Sequence, residues 1–158
     1  MSSNFRMLPA AILIFLTACD GPASTPSEAP VEGLSILEPG CYLGHQSAGG
    51  DSILLRIETV NGLELSGNLL ITIPEKDRRT GTFRGTLGTD GVVRAAYTFM
   101  QEGVTDSIHL QFMRDSESGT GLALRPPAYD PGSGREYPDS SKPFTIRLRK
   151  QACEASPQ

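Results

Sequence analysis

Tryptophan is absent from this 158-residue chain, aromatic residues make up only 6%, and histidine occurs twice. Two His and three Cys are too few and too scattered for a zinc site, which needs three or four closely spaced ligands. No metal and no cofactor are expected. Basic residues are also scarce: 14 Lys and Arg stand against 18 Asp and Glu, a net charge of −4. A basic face that would attract nucleic acid is therefore not expected. No apolar run approaches the roughly 20 residues that span a bilayer as a helix. With 38% hydrophobic residues the chain can build one modest core, without room for a separate cofactor domain. What it has in excess is glycine (17) and proline (12), which favours a turn-rich β protein.

The first residues read as an address. Met1 to Phe5 carry no acid, Arg6 supplies a positive charge, and Met7 to Leu16 are free of charge. Such a stretch suits the apolar core of a secretory signal. It ends in Leu16-Thr17-Ala18-Cys19, which resembles the lipobox of bacterial lipoproteins: an aliphatic residue, two small ones, then the modified cysteine. The resemblance implies a signal peptide over 1–18, cleavage after Ala18 and lipidation of Cys19. Several acyl chains together anchor a protein firmly where one would not. Asp20 resembles an inner-membrane retention signal, so a periplasm-facing protein is expected, with the inner membrane slightly favoured over the outer.

Residues 19–33 read as a flexible tether, rich in Pro, Ser and Ala and nearly free of apolar side chains. The folded domain is expected over 34–153, as a monomer, followed by a polar tail at 154–158. With Cys19 lipidated, Cys41 and Cys153 remain in an oxidising compartment and are expected to pair.

Between them the hydrophobic period is two. Ile53, Leu55 and Ile57 share one side of a strand, and Leu63, Leu65, Gly67, Leu69, Ile71 and Ile73 one side of the next. Phe83, Gly85 and Leu87 continue the pattern, then Val93, Ala95, Tyr97 and Phe99, then Ile108, Leu110 and Phe112. Leu122 with Leu124, and Phe144 with Ile146 and Leu148, give two further strands, and Cys41 to His45 another. Asn61-Gly62 and Asp90-Gly91 read as hairpin turns with both residues at positive φ. The inward Gly67 and Gly85 fit tight bends. About eight antiparallel strands in meander order predict an all-β, up-and-down barrel or half-barrel of the lipocalin or streptavidin type. One long connection, Pro126 to Pro143, carries no periodic signal and reads as a structureless loop.

Several residues together resemble a family of small uncharacterised bacterial lipoproteins. They are Cys41-Tyr42, Glu75-Lys76-Asp77, Gly81 with Gly85, Tyr97-Thr98-Phe99, Glu102-Gly103, Ser107 and Phe112. The resemblance covers roughly Cys41 to Gly121 and implies kinship without an activity.

Strand faces are accounted for by core and solvent, so binding is sought on the connections. The run Glu75-Lys76-Asp77-Arg78-Arg79 either grips an ionic partner or is a solvated turn with local salt bridges. Glu102 is either an acidic ligand at a barrel mouth or the first residue of a turn. Tyr129 and Tyr137 lie on the long loop, and meander order puts all three connections at one end. Tyr42, Tyr97 and Phe99 line a ligand cavity or fill an ordinary core. Asp106, Ser107 and His109 do not form a relay, because strand neighbours alternate faces. The expectation is a membrane-tethered, non-catalytic module that binds a small ligand or an envelope protein. Its rivals are an inhibitor of a cell-wall hydrolase and a small hydrolase.

Overall fold

The computed structural model describes residues 37–46, 50–76 and 78–153. The expectations for the signal peptide, Cys19, Asp20, the tether, Asp77 and the 154–158 tail lie outside the described residues. Ten strands follow one another: β1 Gly40–Gly44, β2 Ser52–Asn61, β3 Glu64–Thr72, β4 Arg79–Leu87, β5 Val92–Gln101, β6 Val104–Arg114, β7 Leu122–Leu124, β8 Pro127–Asp130, β9 Arg135–Pro138 and β10 Ile146–Gln151. There is no helix among the described residues.

Eight strands close into an antiparallel up-and-down barrel, because β1 pairs with β2 on one side and with β10 on the other. The sheet is closed, so the half-barrel alternative does not hold, and closure leaves no open edge in the barrel. The register keeps the period-two residues on one face: Leu69 opposes Gly81, Gly81 opposes Phe99, and Tyr97 opposes Ile108. A bulge between Ile57 and Thr59 adds one residue to β2, which sharpens its bend against β3.

The interior is filled. Tyr42, Phe83, Tyr97 and Phe112 are fully buried among Leu55, Ile57, Leu69, Leu122 and Leu148. Phe83 and Phe112 meet edge to face at 5.8 Å, and Tyr97 stacks on Phe99 at 5.0 Å. An eight-stranded barrel is just wide enough for such side chains to occupy its axis. Tyr42, Tyr97 and Phe99 are therefore core. The Tyr97 hydroxyl shares its proton between the carbonyls of Leu69 (2.9 Å) and Arg79 (3.0 Å). Burial pushes that phenol well above its ordinary range.

Two turn expectations need correction. Asn61 pairs with Glu64, so the β2–β3 turn is Gly62-Leu63, and Gly62 alone takes positive φ (59°). In the β4–β5 connection Gly88 accepts from Gly91 N–H and donates to Val92, and Gly91 has φ 74° while Asp90 does not have positive φ. That is a type I turn closed by a glycine bulge, in which Asp90 serves by its side chain. The Arg94 guanidinium beside Asp90, together with the Val92 N–H, holds its carboxyl at about 2.

The long connection is not structureless. It folds as the separate hairpin β8–β9, whose turn is organised by Asp130. The Asp130 carboxylate accepts from Gly132 N–H (2.9 Å) and the Ser133 hydroxyl (2.7 Å), and its carbonyl accepts from Gly134 N–H. Each strand of this hairpin has four residues with proline at its outer end, too few for a period of two to be counted.

Candidate functional site

Strand alternation divides the connections between two ends. The β2–β3, β4–β5 and β6–β7 turns share one end with the start of β1 and the finish of β10. There the sulfurs of Cys41 and Cys153 lie at disulfide distance, 2.08 Å. Lys150 reaches Glu38 at this end, and the Tyr42 hydroxyl donates to the Glu38 carbonyl at 2.7 Å. The β1–β2, β3–β4 and β5–β6 connections and the β8–β9 excursion belong to the opposite end. Glu75, Lys76, Glu102, Tyr129 and Tyr137 are all on that second rim.

Several large apolar side chains are exposed at this rim. Met100 is 59% exposed, Val104 65%, Tyr129 63% and Tyr137 46%. These are four of the five large hydrophobic side chains most exposed among the described residues, and the fifth, Leu63, is on a turn at the disulfide end.

It is also strained at two acids. Glu75 (φ 61°) and Glu102 (φ 51°) are the two non-glycine residues with positive φ among the described residues. Glu75 follows Pro74 in a turn closed by Lys76 N–H to the Ile73 carbonyl, the position where glycine is preferred. Glu102 and Gly103 form a two-residue turn with both φ positive, where asparagine is the usual first residue. A side chain in that conformation costs roughly 1–2 kcal/mol. Glu102→Asn is therefore expected to stabilise the domain by about 0.5–1 kcal/mol in urea denaturation. No gain, or a loss, would show that Glu102 makes a stabilising contact that offsets the strain.

Arg79 does not belong to the exposed turn, as the charged run suggested. It opens β4 opposite Ile71, the inward side of the sheet, and is largely buried. Its Nη1 and Nη2 donate to the two carboxylate oxygens of Glu136 on β9 at 2.7 and 3.1 Å, and Nε donates to Gln101 at 2.8 Å. The guanidinium also lies 5.2 Å from the Phe99 ring centroid. A bidentate, half-buried pair of this kind fixes geometry as well as adding energy. It fastens the β8–β9 hairpin to the barrel mouth. Arg125 fastens the other side: it bonds Gln111 Oε1 at 2.8 Å and the carbonyls of Asp139, Ser140 and Lys142, and covers Phe144 at 4.2 Å. Sequence reading missed both arginines as organisers, since their partners lie up to 57 residues away.

Of Asp106, Ser107 and His109, the Asp106 carboxylate accepts from the Ser107 N–H at 2.7 Å. His109 sits on the outer face, opposite Ala96, on a shallow depression that also includes Arg84 and Ser66.

Fold and rim together define a closed eight-stranded up-and-down barrel with a solid core, one plain end and one elaborated end. Set beside known proteins, the chain matches no family model, no curated protein and no solved structure.

Proposed function

We propose that this protein is a membrane-tethered, non-catalytic lipoprotein of the bacterial envelope. Its place there is supported by the lipobox-like Leu16-Thr17-Ala18-Cys19 and by the resemblance of Cys41 to Gly121 to small bacterial lipoproteins. Its task is to bind an envelope protein through the rim opposite the disulfide end. The carrying observation is that Met100, Val104, Tyr129 and Tyr137, all exposed to water, lie on the strand ends and the hairpin at that rim. Aromatic and methionine side chains are the ones enriched where proteins meet. The strained Glu75 and Glu102 beside them support the same reading, because backbone strain collects at functional positions.

Two measurements test the reading. Labelling with an alkyne fatty acid should mark the wild-type chain and not Cys19→Ala. Affinity capture from an envelope extract should recover a defined partner with the wild type and with Leu63→Ser. Val104→Ser/Tyr129→Ser/Tyr137→Ser should reduce that partner at least tenfold. Equal recovery by the folded triple variant removes the rim from the proposal, and capture of lysozyme with loss of its activity would identify the inhibitor rival.

A further inference from the structure

Within the belt where all eight strands pair, the barrel has no open edge, but β6 outruns that belt. Its neighbour β7 has three residues and pairs with Phe112, Met113 and Arg114 alone. The Arg125 N–H adds one bond, to the Gln111 carbonyl at 2.9 Å. On its other side β6 is paired with β5 all the way from Val104 to Met113. From Val104 to Leu110 it is therefore bonded on one side only. β9 does not fill the gap. It pairs with β8 alone, and shares with Ile108 and Leu110 the lining of a chamber of about 160 Å³ at the barrel mouth.

The unpaired groups are regularly spaced. Gln101 and Val104 close the two-residue turn, so the even-numbered residues of β6 bond to β5 and the odd-numbered ones turn N–H and C=O away from it. Thr105, Ser107 and His109 carry those groups, and all three residues are exposed. The Ser107 N–H is covered from within, by the Asp106 carboxylate. Among the described residues no other bond reaches the backbone of these three on that side. Free edges are commonly blunted by lysine, proline or a bulge. Val104 to Leu110 contains neither lysine nor proline, and its pairing with β5 runs without a register shift.

We propose that the β6 edge from Thr105 to His109 takes up an extended peptide segment of the envelope partner as an added β-strand, with Asp106 as a guard that the segment displaces. The inference deepens the rim reading and rests on it for the partner. Alternate N–H and C=O groups at strand spacing are matched by another strand, and main-chain bonds of this kind supply affinity with little demand on sequence. The edge is continuous with the rim, because the exposed Val104 opens the same strand.

A capped Thr-Val-Thr-Val-Thr-Val hexapeptide, titrated into isotope-labelled full-length protein, tests it. Saturable shifts are expected at the Thr105, Ser107 and His109 amides, with Leu55 in the core unmoved. The same hexapeptide methylated at every amide nitrogen should shift none of them. Thr105→Pro removes an edge N–H that β5 does not use and should weaken binding at least tenfold. Asp106→Ala uncovers the Ser107 N–H and should tighten binding at least threefold, and it serves alone if Thr105→Pro does not fold. Val104→Ser/Tyr129→Ser/Tyr137→Ser keeps the edge and should bind the hexapeptide like the wild type. No saturable shift at the edge, equal shifts with the methylated peptide, or unchanged affinity in the folded edge variants would overturn the proposal. An envelope partner lost from the triple variant but fully retained by folded Thr105→Pro would also overturn it, and would leave the rim reading standing. Hexapeptide binding with no envelope partner captured would remove the rim reading and leave the strand-binding edge in place.

Discussion

Gly67→Ala is expected to lower the unfolding free energy by about 3 kcal/mol or more, the range of overpacking against backbone that has no room to yield. Gly67 faces inward on β3, opposite Ile57 and beside the bulge in β2. A Cβ there would stand 1.9 Å from the Arg56 carbonyl oxygen, 2.9 Å from the carbonyl carbon and 3.0 Å from the Phe83 ring. The first two atoms are backbone, so relief requires β2 to move away from β3 and stretch the ladder at the bend. The φ of Gly67 is not positive, and the loss is therefore steric. Gly62→Ala is the matched control. Its Cβ meets nothing within 4 Å, and only its φ of 59° is unfavourable, a cost of roughly 1–2 kcal/mol. Urea denaturation of the two variants should separate them clearly. A Gly67→Ala loss no larger than that of Gly62→Ala would mean that β2 accommodates the methyl at little cost.

Removing the Cys41–Cys153 link, as Cys41→Ala/Cys153→Ala, is expected to cost about 2–4 kcal/mol, with a steeper dependence on urea. The two cysteines are 112 residues apart in sequence, and the chain-entropy account puts a loop of that length near 5 kcal/mol as a ceiling. In the folded barrel the link adds little, since β1 and β10 already pair with Cys41 opposite Gln151. Its effect therefore falls on the unfolded chain, which expands when released and exposes more surface. The β1–β10 pairing joins the two ends of the domain, the contact with the largest loop to close. The link carries that closure before folding begins. Thiol counting on the denatured, unreduced protein should find neither thiol free. Two free thiols, or a loss below about 0.5 kcal/mol, would contradict the account.

Strand order and burial were legible because they depend on short repeats. Each barrel strand long enough to show two or three alternations was found, from Ile53 to Leu148, and most of the inward set is the buried core. Leu63 is instead exposed on a turn, and Ile71, Ile73, Leu110 and Phe144 are only partly buried. Two-residue turns were placed less well. In Asn61-Gly62 the dipeptide located the bend but not its register, because pairing of Asn61 with Glu64 depends on β2 and β3 as a whole. The hairpin at Pro127–Pro138 escaped detection because four-residue strands framed by proline leave no countable period.

The candidate rim divides in the same way. Local pattern alone determined that this chain is an all-β meander, that its connections alternate between two ends, and that Glu75, Glu102 and the two tyrosines share one of them. Those conclusions need only the period of the pleat and the order of the strands. Tertiary structure alone decided that the barrel closes and that its axis is filled. It also paired Arg79 with Glu136 at 2.7 Å, roofed the mouth with β9 and left a chamber beneath. These depend on side chains from strands distant in sequence meeting in three dimensions, 29 residues apart for Phe83 and Phe112 and 57 for Arg79 and Glu136, and no local repeat encodes a meeting of that kind.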